Sequence, residues 1–235
     1  MLSQFVQGAL SRIFPPTCIL CGAPGQYGLD LCVGCLNDLP HNLHHCPRCA
    51  IPLPADHPPG TVCGQCQRRP PPYSACHAAF LYEAPIPALV AGAKFRGRLN
   101  TARLLGICLA RSLFMRGAEM PECIVPVPLH PKRMRGRGYN QAAEIARAAA
   151  QELGVPVDAN CCIRTGSLRP QEGLDKVERR RNVRGAFVAP HRLTTRHVAM
   201  LDDVVTTGST AAEVARVLLK AGAERVDLWA VSRTP

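Results

Sequence analysis

No stretch of this chain approaches about eighteen consecutive apolar residues, so no transmembrane helix is expected. The opening MLSQFVQGALSRIF lacks a cationic leader, and Ser3, Gln4 and Gln7 break its apolar run. That argues against a secretory signal and for a cytoplasmic protein. Aromatic side chains are scarce at 5%, which leaves few platforms on which single-stranded nucleic acid could stack. Acidic residues number 17 against 28 lysines and arginines, a formal net charge of +11. Such an imbalance points to phosphate-bearing partners, either nucleic acid or an anionic small molecule. No glycine-rich loop carries the lysine of a Walker motif, so a nucleoside triphosphate is not the natural ligand.

Cysteine, in contrast, is abundant, with thirteen in 235 residues. Eight form four knuckles: CILC (Cys18, Cys21), CVGC (Cys32, Cys35), CPRC (Cys46, Cys49) and CGQC (Cys63, Cys66). Two thiolates separated by two residues can turn back onto one cation, and two such pairs complete a tetrahedral shell. The simplest assignment is sequential, with Cys18, Cys21, Cys32 and Cys35 on one zinc and Cys46, Cys49, Cys63 and Cys66 on another. An interleaved pairing is compatible with the same spacings. A disulfide framework needs an oxidising compartment, and an iron–sulfur cluster can also use four cysteines; the repeated paired spacing favours two closed, structural zinc sites. His41, His44, His45 and His57 are read as surface residues. Cys76, Cys108, Cys123, Cys161 and Cys162 lie in apolar surroundings and are expected in the core.

Leu2, Phe5, Val6, Ala9, Leu10 and Ile13 recur at helical spacing, predicting an amphipathic helix over 1–16 that packs on the domain behind it. The ribbons should occupy 17–70, and a proline-rich stretch then leads to a second domain over 76–235. There the pattern alternates. Strands are expected over 78–83, 123–129, 161–165, 197–204 and 225–234. Helices are expected over 85–97, 100–117, 140–154, 175–185 and 211–223, with Asn140 as one N-cap and Thr210 with Glu213 as a capping box. Alternation of this kind implies an α/β fold with a mainly parallel sheet, whose ligands bind beyond the carboxyl ends of the strands.

The stretch VAMLDDVVTTGST occupies that position. Gly208 allows a tight turn, Thr206, Thr207, Ser209 and Thr210 offer hydroxyls, and a helix N-terminus adds positive potential, together a pocket for a phosphate monoester. Asp202 and Asp203, adjacent like charges, can address the vicinal hydroxyls of a ribose and stabilise positive charge developing on its ring.

LDDVVTTGST resembles the ribose-5-phosphate loop of type I phosphoribosyltransferases. With the double zinc ribbon, KFRGR, VPVPLHPKRMRGRGYNQA and ERRRNVRGAF, the chain resembles the ComF family over nearly its full length. Asp175, where serine is expected, and Gly92 are small departures. The resemblance implies a type I phosphoribosyltransferase-like, mainly parallel sheet flanked by helices. It assigns Asp202, Asp203, Val204, Thr206, Thr207, Gly208, Ser209 and Thr210 to ribose 5-phosphate. A basic loop with His130, Lys132, Arg133, Arg135 and Arg137, hinged at Gly136 and Gly138, would hold pyrophosphate. Lys94, Arg96, and Arg180 and Arg181 from the run Arg179, Arg180, Arg181 and Arg184 are further candidates. Two functions follow. One is binding, with or without pentosyl transfer, of phosphoribosyl pyrophosphate with magnesium, which would bridge pyrophosphate oxygens and ribose hydroxyls. The other is a single-stranded DNA-binding competence protein, working with other competence proteins, whose phosphoribosyl pocket is regulatory. The acceptor nucleophile is not visible.

Overall fold

A computed structural model describes residues 15–95, 98–165 and 185–235, and the chain divides into two compact units, Met1–Leu39 and Pro40–Pro235. The helices expected over 1–16 and 175–185 lie outside the described residues apart from their last positions, as do Arg96, Arg180 and Arg181.

In the smaller unit the first knuckle is a tight turn, in which the Gly22 amide donates to the Cys18 carbonyl at 2.9 Å. Gly22 takes a left-handed φ of 77° there, a conformation that costs any side chain. A bridge between Thr17 and Pro24 closes the turn. Helix α1 (Val33–Asn37) then carries the second knuckle, and Cys32 Sγ accepts the Cys35 amide at its start. Leu29 and Leu31, shortly before it in the sequence, are buried.

The larger unit begins by repeating that plan. The Ala50 amide donates to the Cys46 carbonyl at 2.8 Å, His45 and Pro52 form the closing bridge, and helix α2 (Gly64–Arg68) follows Cys63. The second ribbon therefore belongs to the same compact unit as the α/β elements.

Four parallel strands form the sheet, in the order β1 (Cys76–Leu81), β6 (Arg225–Arg233), β5 (His197–Val205), β2 (Cys123–Pro126). Strands β5 and β6 lie in the middle, which accounts for their unbroken apolar runs. Val198 and Met200 share a core cluster with Val214 and Leu218 of helix α7 (Ser209–Ala221). By the two-residue pleat, Ala199 and Leu201 belong to the opposite face, where helices α4 (Leu99–Met115) and α6 (Gln141–Leu153) pack on the sheet. Those two helices approach closely because Gly106 has no side chain. A Cβ there would stand 2.5 Å from the Ile145 carbonyl oxygen and 2.7 Å from the Ala148 Cβ.

Helix α3 (Ile86–Phe95) follows β1, helix α5 (Pro131–Arg137) follows β2, and a short antiparallel pair, β3 (Ile163–Arg164) with β4 (Phe187–Val188), stands apart from the main sheet. Trp229 and the five non-knuckle cysteines are buried. His45 departs from the expected surface position: Arg116 Nη1 lies 3.1 Å from its ring and Nη2 donates to the Asn42 carbonyl at 2.6 Å. Burial, and then the Arg116 charge, push the His45 pKa down to about 4, so it is neutral at physiological pH.

Candidate functional site

Strand β5 ends at a cavity of about 710 Å³, a size suited to a small ligand. Asp202 and Asp203 stand at its rim with Val204, Thr206 and Thr210. The pleat sends successive side chains to opposite faces, so the two carboxylates have unlike surroundings. Asp203, on the α6 side, is buried. Its Oδ2 lies 2.7 Å from Lys94 Nζ and accepts Gln141 Nε2 at 3.3 Å, while its Oδ1 accepts the Val204 amide at 2.8 Å. Asp202 accepts the Asp203 amide at 2.9 Å, and among the described residues no cation forms an ion pair with it. Burial first, then the neighbouring Asp203 charge, push the Asp202 pKa up to about 8. The doublet is thus a carboxylate paired with Lys94 beside one that holds its proton near neutral pH.

Local sequence sets this geometry. Asn140 caps α6 by accepting the Ala142 amide at 3.1 Å and also donates to the Val127 carbonyl at 3.1 Å, fixing α6 to the exit of β2. Gln141 at the head of α6 is thereby aimed at Asp203. Arg137 Nη1 donates to Gln141 Oε1, and the Tyr139 hydroxyl donates to the Ala93 carbonyl, tying this corner to α3 and Lys94.

The stretch expected to be a basic loop is helix α5. His130 is its N-cap, its Nδ1 accepting the Lys132 amide at 3.1 Å, Pro131 occupies the first turn, and Gly138 ends it in a left-handed conformation. Pro at the first helical position and glycine beyond the last residue are strong helix boundaries. Helix formation sorts the cations. Arg133 and Arg137 line the cavity, whereas Lys132, Arg135 and the buried, capping His130 are not among its lining residues. Lys94 lines it, though it faces Asp203 rather than open space. Gly136 lies inside the helix rather than at a hinge.

The structure adds Arg164, from the two-residue strand β3, which the sequence presents only as one cation beside two buried cysteines. Its guanidinium lies 5.0 Å over the Phe187 ring, and among the described residues its buried Nε and Nη2 have no hydrogen-bond partner. Burial, and then nearby Arg133, lower its pKa while Asp202 raises it. Tyr82 and Tyr139 complete the rim.

The TTGST turn differs from expectation at its cap. Helix α7 starts at Ser209 with Gly208 as N-cap at φ 71°, and no side chain caps it. Glu213 accepts the Gly185 amide at 2.8 Å instead of closing a capping box with Thr210. Thr207 and Ser209 hydroxyls meet at 2.8 Å. Thr206 and Thr210 open on the acidic cavity; Thr207, Gly208 and Ser209 line a neighbouring one of about 690 Å³.

The knuckles gather into two four-cysteine clusters in sequential pairing, Cys18, Cys21, Cys32 and Cys35, and Cys46, Cys49, Cys63 and Cys66, so the interleaved arrangement does not occur. Ligand atoms within each set lie within 4.8 Å of one another, and the pairs Cys21–Cys32 and Cys49–Cys63 are 3.7 Å apart. Four thiolates about 2.3 Å from a tetrahedral zinc would stand about 3.8 Å from each other. Both clusters are therefore consistent with structural zinc. Amides assist, as Cys63 N donates to Cys46 Sγ at 3.3 Å. In the first set burial pushes Cys18 up, but the Cys32, Cys21 and Leu20 amides outweigh it and bring the thiol down to about 6. Hydrogen bonds from Cys21 and then Cys32 push Cys35 up. Such crowding of thiolates is relieved by a shared cation.

A parallel α/β sheet with an acidic doublet and hydroxyl-rich turn at one strand end, following two four-cysteine ribbons in the sequence, defines the class of protein. Residues 9–68 match the double zinc ribbon domain family. The chain is 34% identical over 227 residues to DNA utilization protein YhgH of Salmonella typhimurium, covering 94% of this chain and 98% of the relative. It is 32% identical over 212 residues to Competence protein F of Haemophilus influenzae, covering 86% and 90%. It belongs to the ComF family that these proteins represent. Among solved structures it is similar to a glutamine phosphoribosylpyrophosphate amidotransferase from B. subtilis (20% identity, TM-score 0.40, 60% of this chain and 30% of that one). It is also similar to a purine phosphoribosyltransferase from Pyrococcus horikoshii (19% identity, TM-score 0.35, 57% and 74%). Among the described residues no helix is long and apolar enough to cross a membrane.

Proposed function

We propose that the cavity at the end of β5 binds phosphoribosyl pyrophosphate, or a related ribose 5-phosphate, in the service of DNA uptake or utilisation. The observation that carries this reading is convergence: Asp202, Asp203, Thr206 and Thr210 share one cavity with Arg133, Arg137, Arg164 and Lys94. Amides at the N-terminus of α7 receive the 5′-phosphate, since first-turn N–H groups have no intrahelical acceptor and carry the positive end of the helix dipole. Asp202 and Asp203 accept from ribose hydroxyls. Arg133 and Arg137, with Arg164 behind them, take pyrophosphate oxygens, for which planar guanidinium donors are well suited. Magnesium, when bound with this ligand, neutralises pyrophosphate oxygens. Positive charge on the ribose ring as pyrophosphate departs is stabilised by the same carboxylates, so pentosyl transfer is within the site's chemistry.

Calorimetric titration of phosphoribosyl pyrophosphate with magnesium tests the reading. Saturable binding by the wild type, lost in a folded Asp202→Asn/Asp203→Asn variant, is the expected result. Absence of binding by the wild type removes the reading. A second reading, single-stranded DNA binding with a regulatory phosphoribosyl pocket, draws on the names of the relatives and the net charge of +11. It requires an affinity that falls steeply with salt.

A further inference from the structure

Arg233 closes strand β6, in register with Val205 at the end of β5, and is buried. Its guanidinium makes contacts in two directions. Nε donates to the carbonyl of Cys49 at 3.0 Å. Nη1 reaches the carbonyls of Val205, at 3.1 Å, and of Thr206 and Thr234. One side chain therefore joins the backbone of a cysteine in the second four-cysteine cluster to the first residue of the TTGST turn. Tyr73 lies against the same turn and lines one cavity with Cys49 and Cys66. It is buried just beyond Pro70, Pro71 and Pro72, and its hydroxyl would stand 3.3 Å from a Cβ at Gly208. The cavity of about 690 Å³ is lined by Cys49 and Cys66 together with Thr207, Gly208 and Ser209.

A four-cysteine cluster without its cation is a set of crowded thiols, and its backbone relaxes when the cation leaves. The Cys49 carbonyl moves with that backbone. A planar guanidinium hydrogen-bonded at both ends passes such a displacement on, because its donors keep fixed relative directions. Val205 and Thr206 carbonyls set where the turn leaves β5, and hence where its amides point.

We infer that Arg233 is a positioning residue for the TTGST turn and that it couples the turn to the metal occupancy of the Cys46, Cys49, Cys63 and Cys66 cluster. Zinc in this cluster holds the turn in its binding geometry, and a ligand in the turn holds the zinc, since coupling between two sites is reciprocal. The second half of this statement rests on the ribose-phosphate reading; the first half, the mechanical link from cluster to turn, does not.

The test compares wild type, Arg233→Met, Arg233→Lys and Cys63→Ser, each with its zinc content measured. Hydrogen exchange of the 205–210 amides is followed alongside calorimetric binding of phosphoribosyl pyrophosphate with magnesium. Arg233→Met retaining two zinc ions should exchange faster over 205–210 and bind roughly tenfold more weakly. Arg233→Lys, which keeps a charge and can reach one end only, should be intermediate. Cys63→Ser, with one zinc, should show the same accelerated segment. Ligand should slow the release of one of the two wild-type zinc ions to a chelator by the factor that zinc adds to ligand affinity.

Unchanged exchange over 205–210 in both Arg233→Met and Cys63→Ser overturns the inference. If Arg233→Met does not fold, Arg233→Lys and Cys63→Ser decide it by the same exchange measurement. Should wild-type protein fail to bind the ligand, the ribose-phosphate reading is lost, and exchange alone still decides whether the cluster and the turn are linked.

Discussion

Replacing Asp203 by asparagine keeps the side-chain shape and the hydrogen bond from the Val204 amide, turns an amide donor towards Gln141 Nε2 in place of the acceptor there, and removes one charge. The Lys94 ammonium is then left 2.7 Å from a neutral amide. At an effective dielectric of 20 the lost attraction is about 6 kcal/mol, most of it offset by the desolvation that the pair no longer suffers. The Lys94 side chain is 24% exposed, so it can recover some hydration, and the net loss should be about 1–2 kcal/mol. For a unit of this size that corresponds to a fall in melting temperature of roughly 2–8 °C. Lys94→Met is the harsher change, because it leaves a buried carboxylate without its cation, and should cost about 3 kcal/mol. The Lys94→Met/Asp203→Asn double variant should then be more stable than the sum of the singles implies, by about 1–3 kcal/mol. Thermal denaturation at fixed zinc concentration gives all four corners of the cycle. Additivity of the single changes within about 0.5 kcal/mol would refute the pairing and the electrostatic asymmetry of the doublet.

Asp202, held up to about 8 by burial and by Asp203, makes stability pH-dependent. Its raised pKa contributes stability that is fully present below the unfolded value near 4 and is lost as pH rises through about 8; Asp202→Asn should flatten that decline in a denaturation series. Binding of phosphoribosyl pyrophosphate with magnesium at pH 7 should release close to one proton, which calorimetry in buffers of different ionisation enthalpy detects; no buffer dependence would contradict it. Gly106→Ala places a Cβ against the Ile145 carbonyl and Ala148, and should destabilise by about 1–3 kcal/mol in chemical denaturation. Asn140→Ala removes a helix cap and the tie to Val127, costing about 1–2 kcal/mol and loosening Gln141 and Asp203; unchanged stability would show the tie to be incidental.

Much of this arrangement was legible in the residues themselves. Strongly periodic or continuously apolar segments, such as 197–205 and 141–153, declared their elements because burial on both faces of a parallel strand and one face of a helix leaves distinct patterns. The knuckles declared their pairing chemistry, and Asp202, Asp203 and the TTGST turn their place at a strand end. What was not legible depended on distant neighbours. The run after β2 carries five cations in eight residues from His130 to Arg137, and only helix formation decides that Arg133 and Arg137 face the cavity while His130 becomes a cap. Asp202 and Asp203 read as equals, yet Lys94, from α3, reaches only one of them. Arg233 is an inconspicuous cation near the chain's end. Its tie to Cys49 spans a sequence separation of 184 residues, which no local pattern encodes.

The turn after β5 is proposed to receive the phosphate of a ribose 5-phosphate. Following the backbone amide resonances of residues 202–212 as ribose 5-phosphate is added tests it most directly. Saturable downfield shifts that are largest over Thr206–Thr210, with a smaller response at Asp202 and Asp203, are the expected result. Resonances of the turn that stay still while others respond would contradict it.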